Sequence, residues 1–232
     1  MATLDSNIST RRLSARRSAN DDYERRRAQI IAAAAALFKE KGFEATTVDD
    51  IARKADIDRA SIYYYYKGKK ELFREMAQAA MTGNVLMAEQ IASGSEPAPT
   101  KLALLIEGLF ESYERHYPYL FVFVQVDMAK ILHDKGAWSG AIRSLSRRFD
   151  HAITAMIQQG IDDGTFQPKG EARLLAAGIT GMCNWSHRWF EPGGKHDRHQ
   201  IAKAFSDMVI NGLAGARTAR KSATAASRLQ AR

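Results

Sequence analysis

Residues 46–73 read TTVDDIARKADIDRASIYYYYKGKKELF, and the order of small, turn-forming and apolar residues in this stretch decides the fold. Val48, Ile51, Ala52 and Ala55 recur at three- and four-residue spacing, the period of one helix face. Thr47 precedes them as an N-cap, and Asp50, three residues later, stands in for the usual Glu of a capping box. Asp58 caps a further short helix from Arg59 to about Tyr66, and Gly68 separates it from a long helix beginning near Lys69. Ala52, Asp56 and Ile62 fall at the spacing of a helix-turn-helix. That motif needs a small residue where the helices cross, then a residue that tolerates left-handed backbone, then an apolar contact. On spacing alone, a plain helical hairpin fits as well.

Tyr63, Tyr64, Tyr65 and Tyr66 cannot all face a core. Along a helix they fan through roughly three-quarters of a turn, so at least two must be exposed, where their hydroxyls can meet phosphate oxygens. Ile62 and Tyr66, four apart, form the expected inward pair. Arg59, Ala60, Ser61, Tyr63, Tyr64, Tyr65 and Lys69 then present donors and flat rings on an element short enough to enter a major groove.

Outward from this stretch the chain reads as helix. Ile30, Ile31, Ala34, Leu37 and Phe38 form an apolar stripe on a helix expected to start near Asp21 and to be capped by Gly42. Pro97 and Pro99 mark one interhelical break, and further helices are expected at 100–116, 119–133, 137–163, 169–190 and 197–215. Tyr119 to Val126 is rich in aromatic and β-branched residues, but a lone strand would have no partner, so it too reads as buried helix. The fold class is therefore all-α. A three-helix helix-turn-helix domain at 21–74 precedes a helical ligand-binding and dimerisation domain at 75–216, with a disordered basic arm at 1–20 and a disordered basic tail at 217–232.

The net charge of +8 resides in the two tails, which carry +3 and +5. Basicity by itself is thus weak evidence for DNA binding, and the motif must carry that reading. The single cysteine, Cys183, excludes an internal disulfide and suits a reducing cytoplasm. No apolar run approaches the roughly 20 residues that span a bilayer, so no membrane partner is expected.

The segment Arg25 to Phe73, with G-F-x-x-T-T-V, I-A-x-x-A and S-I-Y-Y-Y-Y-K-x-K-x-E-L, resembles the N-terminal domain of the TetR family from end to end. Asp56 replaces the usual Gly, Asp58 the common Ser or Thr, and Tyr66 the usual Phe, whose added hydroxyl must find a partner. The resemblance implies that Thr47 touches phosphate, that Arg59, Ala60 and Ser61 face bases, and that Tyr63 and Tyr64 touch backbone. It also places Lys69 on phosphate at the start of the fourth helix, where chemistry agrees: free N–H groups and a lysine attract anions. Arg25 to Arg27 either reach the adjacent backbone or minor groove or form a solvated run.

The second domain resembles the family in architecture. Its most specific stretch, Gly178 to Gly194 (GITGMCNWSHRWFEPGG), is similar to regulators that answer to coenzyme A thioesters. Gly178, Gly181 and Cys183 make a small face beside Trp185, Trp189 and Phe190, which suits a dimeric four-helix bundle with Ile201, Phe205 and Met208; an ordinary intramolecular core is the alternative. Gly181, Trp189, Phe205 and Met208 are the interface candidates of a homodimer. Phe121, Phe123, Met128, Phe149, Met156 and Trp185 are candidates to line a pocket for a small apolar effector, with core packing the competing role. Arg188, with Arg143, Arg147 and Arg148, would answer the phosphates of a thioester, or else lie on a solvated face.

No enzyme, cofactor or metal is expected. Cys183 and His187 share one helix face, but no acid or second cysteine completes a metal set, and no phosphate loop or nucleophile elbow occurs. The expected function is a repressor that leaves double-stranded, palindromic operator DNA when an apolar acyl or thioester ligand binds. A multidrug sensor of hydrophobic cations is the alternative, and an architectural DNA-binding protein without ligand control would not need the large second domain.

Overall fold

The structure is a computed structural model that describes residues 2–117, 120, 135–168 and 170–229, with side chains from 21 to 214 within that set. Eight α-helices and no strand occur among the described residues: α1 (Ala2–Ala45), α2 (Val48–Lys54), α3 (Arg59–Tyr65), α4 (Lys69–Ser93), α5 (Ala98–Arg115), α6 (Ala137–Asp162), α7 (Ala172–Trp185) and α8 (Arg198–Leu229). The chain divides into two compact units, 1–76 and 77–232. The helix expected at 119–133 lies outside the described residues. The assignments of α1 and α8 run into the stretches 1–20 and 217–232 that were set apart as arms; no Pro or Gly interrupts either stretch.

In the first unit the apolar stripe of α1 supplies Ile30, Ala34, Leu37 and Phe38, and these are buried together with Ile51 and Ala52 of α2, Ile62 of α3 and Leu72 and Phe73 of α4. Phe38, Phe43 and Phe73 cluster with ring centroids 4.7–6.1 Å apart, in tilted or edge-on contacts. α1 bends where Gly42 takes a positive φ of 82°, a conformation that Gly reaches without steric cost, consistent with its expected role at the end of the apolar stripe. Thr46 is fully buried and donates its hydroxyl to the Gly42 carbonyl at 2.7 Å, so the two adjacent threonines differ in role: Thr46 closes the end of α1 and Thr47 opens α2.

In the second unit α5 is the central element, packed against both α6 and α8, while α7 packs on α6. Leu102, Leu105, Ile106, Leu109 and Phe110 form its buried face. Pro99 stands in its first turn, where a missing N–H costs nothing. Lys101 is buried, and its ammonium donates to the Ala92 carbonyl at 2.8 Å and to Gln159 Oε1 at 2.7 Å, hydrogen bonds that keep a desolvated charge tolerable. Arg198 ties the start of α8 to Glu107 and Glu114 of α5 at 3.3 and 3.0 Å. α7 ends earlier than expected: a 3-10 turn over Ser186–Arg188 follows it, with the Ser186 hydroxyl donating to the Cys183 carbonyl at 2.7 Å, so Trp189 and Phe190 lie beyond the helix. No helix among the described residues is long and apolar enough to cross a membrane.

Candidate nucleic-acid interface and ligand cavity

The turn between α2 and α3 has the conformation its residues demand. Asp56 has φ 52°, the one positive value at a non-glycine among the described residues, and the Ile57 N–H returns to the Ala52 carbonyl at 3.1 Å. Both flanking helices are capped from within. Thr47 and Asp50 form the full reciprocal box, with the Asp50 N–H donating to Thr47 Oγ1 at 3.1 Å and the Thr47 N–H to Asp50 Oδ2 at 2.9 Å. Asp58 accepts from the Ser61 N–H at 2.7 Å and from its hydroxyl at 2.6 Å, which holds the Asp58 carboxyl below the usual carboxylate range.

Ile62 and Tyr66 are buried, as the spacing predicts, and Tyr63 and Tyr64 are turned outward, Tyr64 with three-quarters of its surface free (75%). Tyr65 instead packs its ring on Tyr23, 4.9 Å between centroids. The Tyr66 hydroxyl finds the partner it requires: it donates to Glu75 Oε1 at 3.3 Å, while Arg27 binds Glu75 Oε2 at 2.6 Å and lies 5.9 Å over the Tyr66 ring. Arg27 is therefore taken into a network with α4 and is neither a groove arm nor a solvated side chain, and burial with the adjacent carboxylate raises the Tyr66 pKa. Arg25 pairs with Asp22 at 2.7 Å and Arg26 with Gln29 at 3.3 Å.

Arg59 and Ala60 are exposed on α3, and Ser61 is half-buried with its hydroxyl engaged by Asp58. Arg59 rests against Asp49 at 3.2 Å and the Tyr63 hydroxyl at 3.3 Å. An exposed pair of this kind is worth about 0–1 kcal/mol, little enough for the guanidinium to be released to another acceptor. Lys69 departs from the expected geometry. Its ammonium donates to the carbonyls of Phe43 and Glu44 at 2.9 and 3.0 Å and sits 4.7 Å over the Phe43 ring, because the end of α1 offers unpaired carbonyls within its reach. In this structure its first role is to fasten α4 to α1.

In the second unit a cavity of about 280 Å³ is lined by apolar Met81, Val85, Leu109, Leu120, Leu145 and Phe149 and by polar Asn84, Tyr113, Ser146, Asp150, Thr180 and Asn184. Tyr113 is buried and donates its hydroxyl to Asn184 Oδ1 at 2.7 Å.

Residues 30–76 match the family described as bacterial regulatory proteins, tetR family, and residues 95–213 match the tetracyclin repressor-like, C-terminal domain. This chain belongs to the TetR family. The HTH-type transcriptional repressor KstR2 of Mycolicibacterium smegmatis is 27% identical over 188 residues, which cover 81% of this chain and 90% of KstR2. The solved ketosteroid transcriptional regulator KstR2 of Mycobacterium tuberculosis has a TM-score of 0.69 at 26% identity, covering 82% of this chain and 95% of that one. AibR, solved in complex with isovaleryl coenzyme A and operator DNA, shares the fold with a TM-score of 0.64 at 19% identity, covering 79% of this chain and 97% of AibR.

Of the described residues expected to line an effector pocket in this TetR-family chain, only Phe149 borders the cavity. Met156 is fully buried in the core, Trp185 is exposed (58%) with Arg188 stacked 4.8 Å over its ring, and Phe121, Phe123 and Met128 lie outside the described residues. Arg148 is bound at both ends to Glu89, at 2.8 and 2.7 Å. Cys183 does not share the open face of Gly178 and Gly181: it is buried, with its thiol pushed up to about 12 by desolvation, whereas a Cβ at either glycine would meet nothing within 4 Å. The His187 ring Nδ1 lies 2.7 Å from the Asn184 carbonyl oxygen. Trp189 and Met208 are exposed, and Phe205 is half-buried, edge-on to Phe110 at 5.4 Å. Sequence reasoning missed Tyr113, Asp150 and Thr180 as cavity residues, because helical period identifies an inward face without showing which inward side chains border a void.

The capping box gives a pH dependence. Lys41, 2.6 Å away, and the Thr47 groups hold the Asp50 carboxyl far below its ordinary value of 3.8. A depressed folded value contributes stability that is present above the unfolded value and lost as pH falls through the folded one. Asp50→Asn should therefore melt at a lower temperature than the native chain at neutral pH. That difference should narrow once pH drops below about 4, as read by circular dichroism melts across a pH series.

Proposed function

We propose that this protein is a homodimeric transcriptional repressor that binds a palindromic operator through α3 and leaves it when an apolar acyl ligand, carried as a coenzyme A thioester, occupies the second unit. The observation that carries the DNA reading is the outward face of α3, where Arg59, Ala60, Tyr63 and Tyr64 stand clear of the core that holds Ile62 and Tyr66. Rings and donors on a short, doubly capped helix suit a major groove, with Thr47 and the tyrosine hydroxyls on phosphates. The name of KstR2 supports repression. AibR supports the thioester in that its fold holds one.

α4 is the element through which a ligand would act. It carries Leu72, Phe73 and Glu75 in the first unit and Met81, Asn84 and Val85 at the cavity, on one continuous helix. A ligand at the cavity acts through this helix if it binds two arrangements of it unequally. Arg188, exposed beside Trp185, remains the residue we assign to thioester phosphates.

A second reading, the sensing of hydrophobic cations, gains support from Asp150. This carboxylate borders the cavity, where it could pair with a cationic ligand, and desolvation raises its pKa.

Exposed α7 residues Leu174, Ala177, Gly178, Gly181 and Trp185 follow one helical stripe, and α8 adds Ala204 and Met208, which supports a four-helix dimer interface. Gly181→Glu, which places a charge on an open glycine, should run as a monomer in light scattering and bind operator far more weakly, since the second half-site contact is lost.

Tyr64→Ala should keep its melting temperature while operator affinity falls and the salt slope flattens, read by mobility shift at several salt concentrations. Lys69→Met should behave differently, losing about 1 kcal/mol of stability as the α1 carbonyls lose their donor. Unchanged affinity in the Tyr64 variant would overturn the assignment of α3.

The effector reading is tested by challenging the operator complex with octanoate, octanoyl coenzyme A and tetraphenylphosphonium. Release by the thioester alone is expected. Release by the cation alone would replace this reading with the second one, and release by free octanoate would remove the role of the phosphates.

A further inference from the structure

The cavity in the second unit has an unbalanced set of polar groups. The Thr180 hydroxyl is shielded from solvent and has no hydrogen-bond partner among the described residues, although a helical threonine ordinarily bonds the carbonyl one turn back. A buried unsatisfied hydroxyl costs about 1–3 kcal/mol, which calls for a compensating group. One turn further along α7, Asn184 borders the same cavity. Tyr113 donates to Asn184 Oδ1, which orients the amide and leaves Nδ2 with no acceptor among the described residues. Thr180 and Asn184, four residues apart on α7, thus border the cavity with an unused donor each, in company with Met81, Val85, Leu109, Leu145 and Phe149.

The charge around these donors limits what they can take. Among the described lining residues there is no Lys or Arg, and the one ionisable acid is Asp150. A free carboxylate entering this space would lose its hydration, find no cation among the described lining residues and meet the Asp150 carboxyl. A neutral carbonyl oxygen carries two lone pairs and no charge, and so matches two donors without that penalty.

We propose that Thr180 and Asn184 form a carbonyl clamp, so that the cavity takes the neutral carbonyl of an apolar ketone, ester or thioester and rejects the corresponding free acid. The clamp rests on the reading of this cavity as the effector site and sharpens it: the bound form is the derivatised acyl group. At about 280 Å³ the space holds the acyl or ring portion of a ligand and its carbonyl; a whole coenzyme would not fit.

The test uses four probes on one skeleton, sized to the cavity: benzylacetone (ketone), butylbenzene (hydrocarbon), phenylbutyrate (acid) and phenylbutylamine (cation). Their binding to the full chain is measured by titration calorimetry and ligand-detected NMR. The ketone should bind tightest, about tenfold better than the hydrocarbon. Thr180→Val keeps the shape and removes the hydroxyl, so it should cut that preference several-fold while leaving hydrocarbon affinity unchanged. Asn184→Leu should do the same, and Thr180→Val carries the test where Asn184→Leu fails to fold. A ketone no better than the hydrocarbon, an acid or amine that binds tightest, a preference that survives both variants, or no binding of any probe would overturn the clamp. The octanoyl coenzyme A release assay is scored separately. A ketone preference without thioester release would leave the clamp standing and remove the thioester effector, and the reverse result would do the opposite.

Discussion

The first unit depends on the burial of Ile62, on the seven-residue α3, and of Tyr66, the extended residue that caps the end of that helix. A helix this short is unstable by itself, since nucleation is unfavourable and few internal bonds repay it. Its existence comes from packing these two large side chains, one on the helix and one at its cap, into the core, each burial worth about 1.5–3 kcal/mol. The same contact fixes the rotation of α3 about its axis. With Ile62 and Tyr66 inward, Arg59, Ala60, Tyr63 and Tyr64 have no direction left but outward.

Tyr66 adds a constraint that a phenylalanine would not. Its hydroxyl, at the edge of the core, has to be satisfied, and Glu75 on α4 accepts from it while Arg27 on α1 neutralises Glu75. Three helices are thereby joined at one carboxylate. Such a junction changes only as a unit, because losing one partner leaves the other two under-satisfied in a partly desolvated site.

The second unit is organised differently. Its helices are long and amphipathic and bury their apolar faces efficiently around α5, yet the packing leaves a space bordered by Thr180, Asn184, Tyr113 and Asp150. Protein interiors are close-packed, and polar groups inside them are almost always paired. A void beside an unpaired hydroxyl is therefore the more informative feature of this domain, more so than the aromatic residues that stand out in its sequence. Trp185, the most conspicuous of these, is on the surface.

The sequence by itself determined the all-α class, the helix-turn-helix, the capping residues Thr47 and Asp58, the left-handed turn at Asp56 and the inward pair on α3. All of these follow from interactions within a few residues: periodicity, caps and backbone preference act locally and leave their mark at fixed spacing. Only the tertiary structure decided that Lys69 holds the end of α1, that Arg27 belongs to a carboxylate on α4, that Cys183 and Gly181 face opposite ways, and that Phe149 borders a cavity while Met156 fills the core. Those outcomes depend on which side chain from a distant helix arrives opposite. The period of a single helix records that a face is buried, but what it is buried against is set by how the helices pack together.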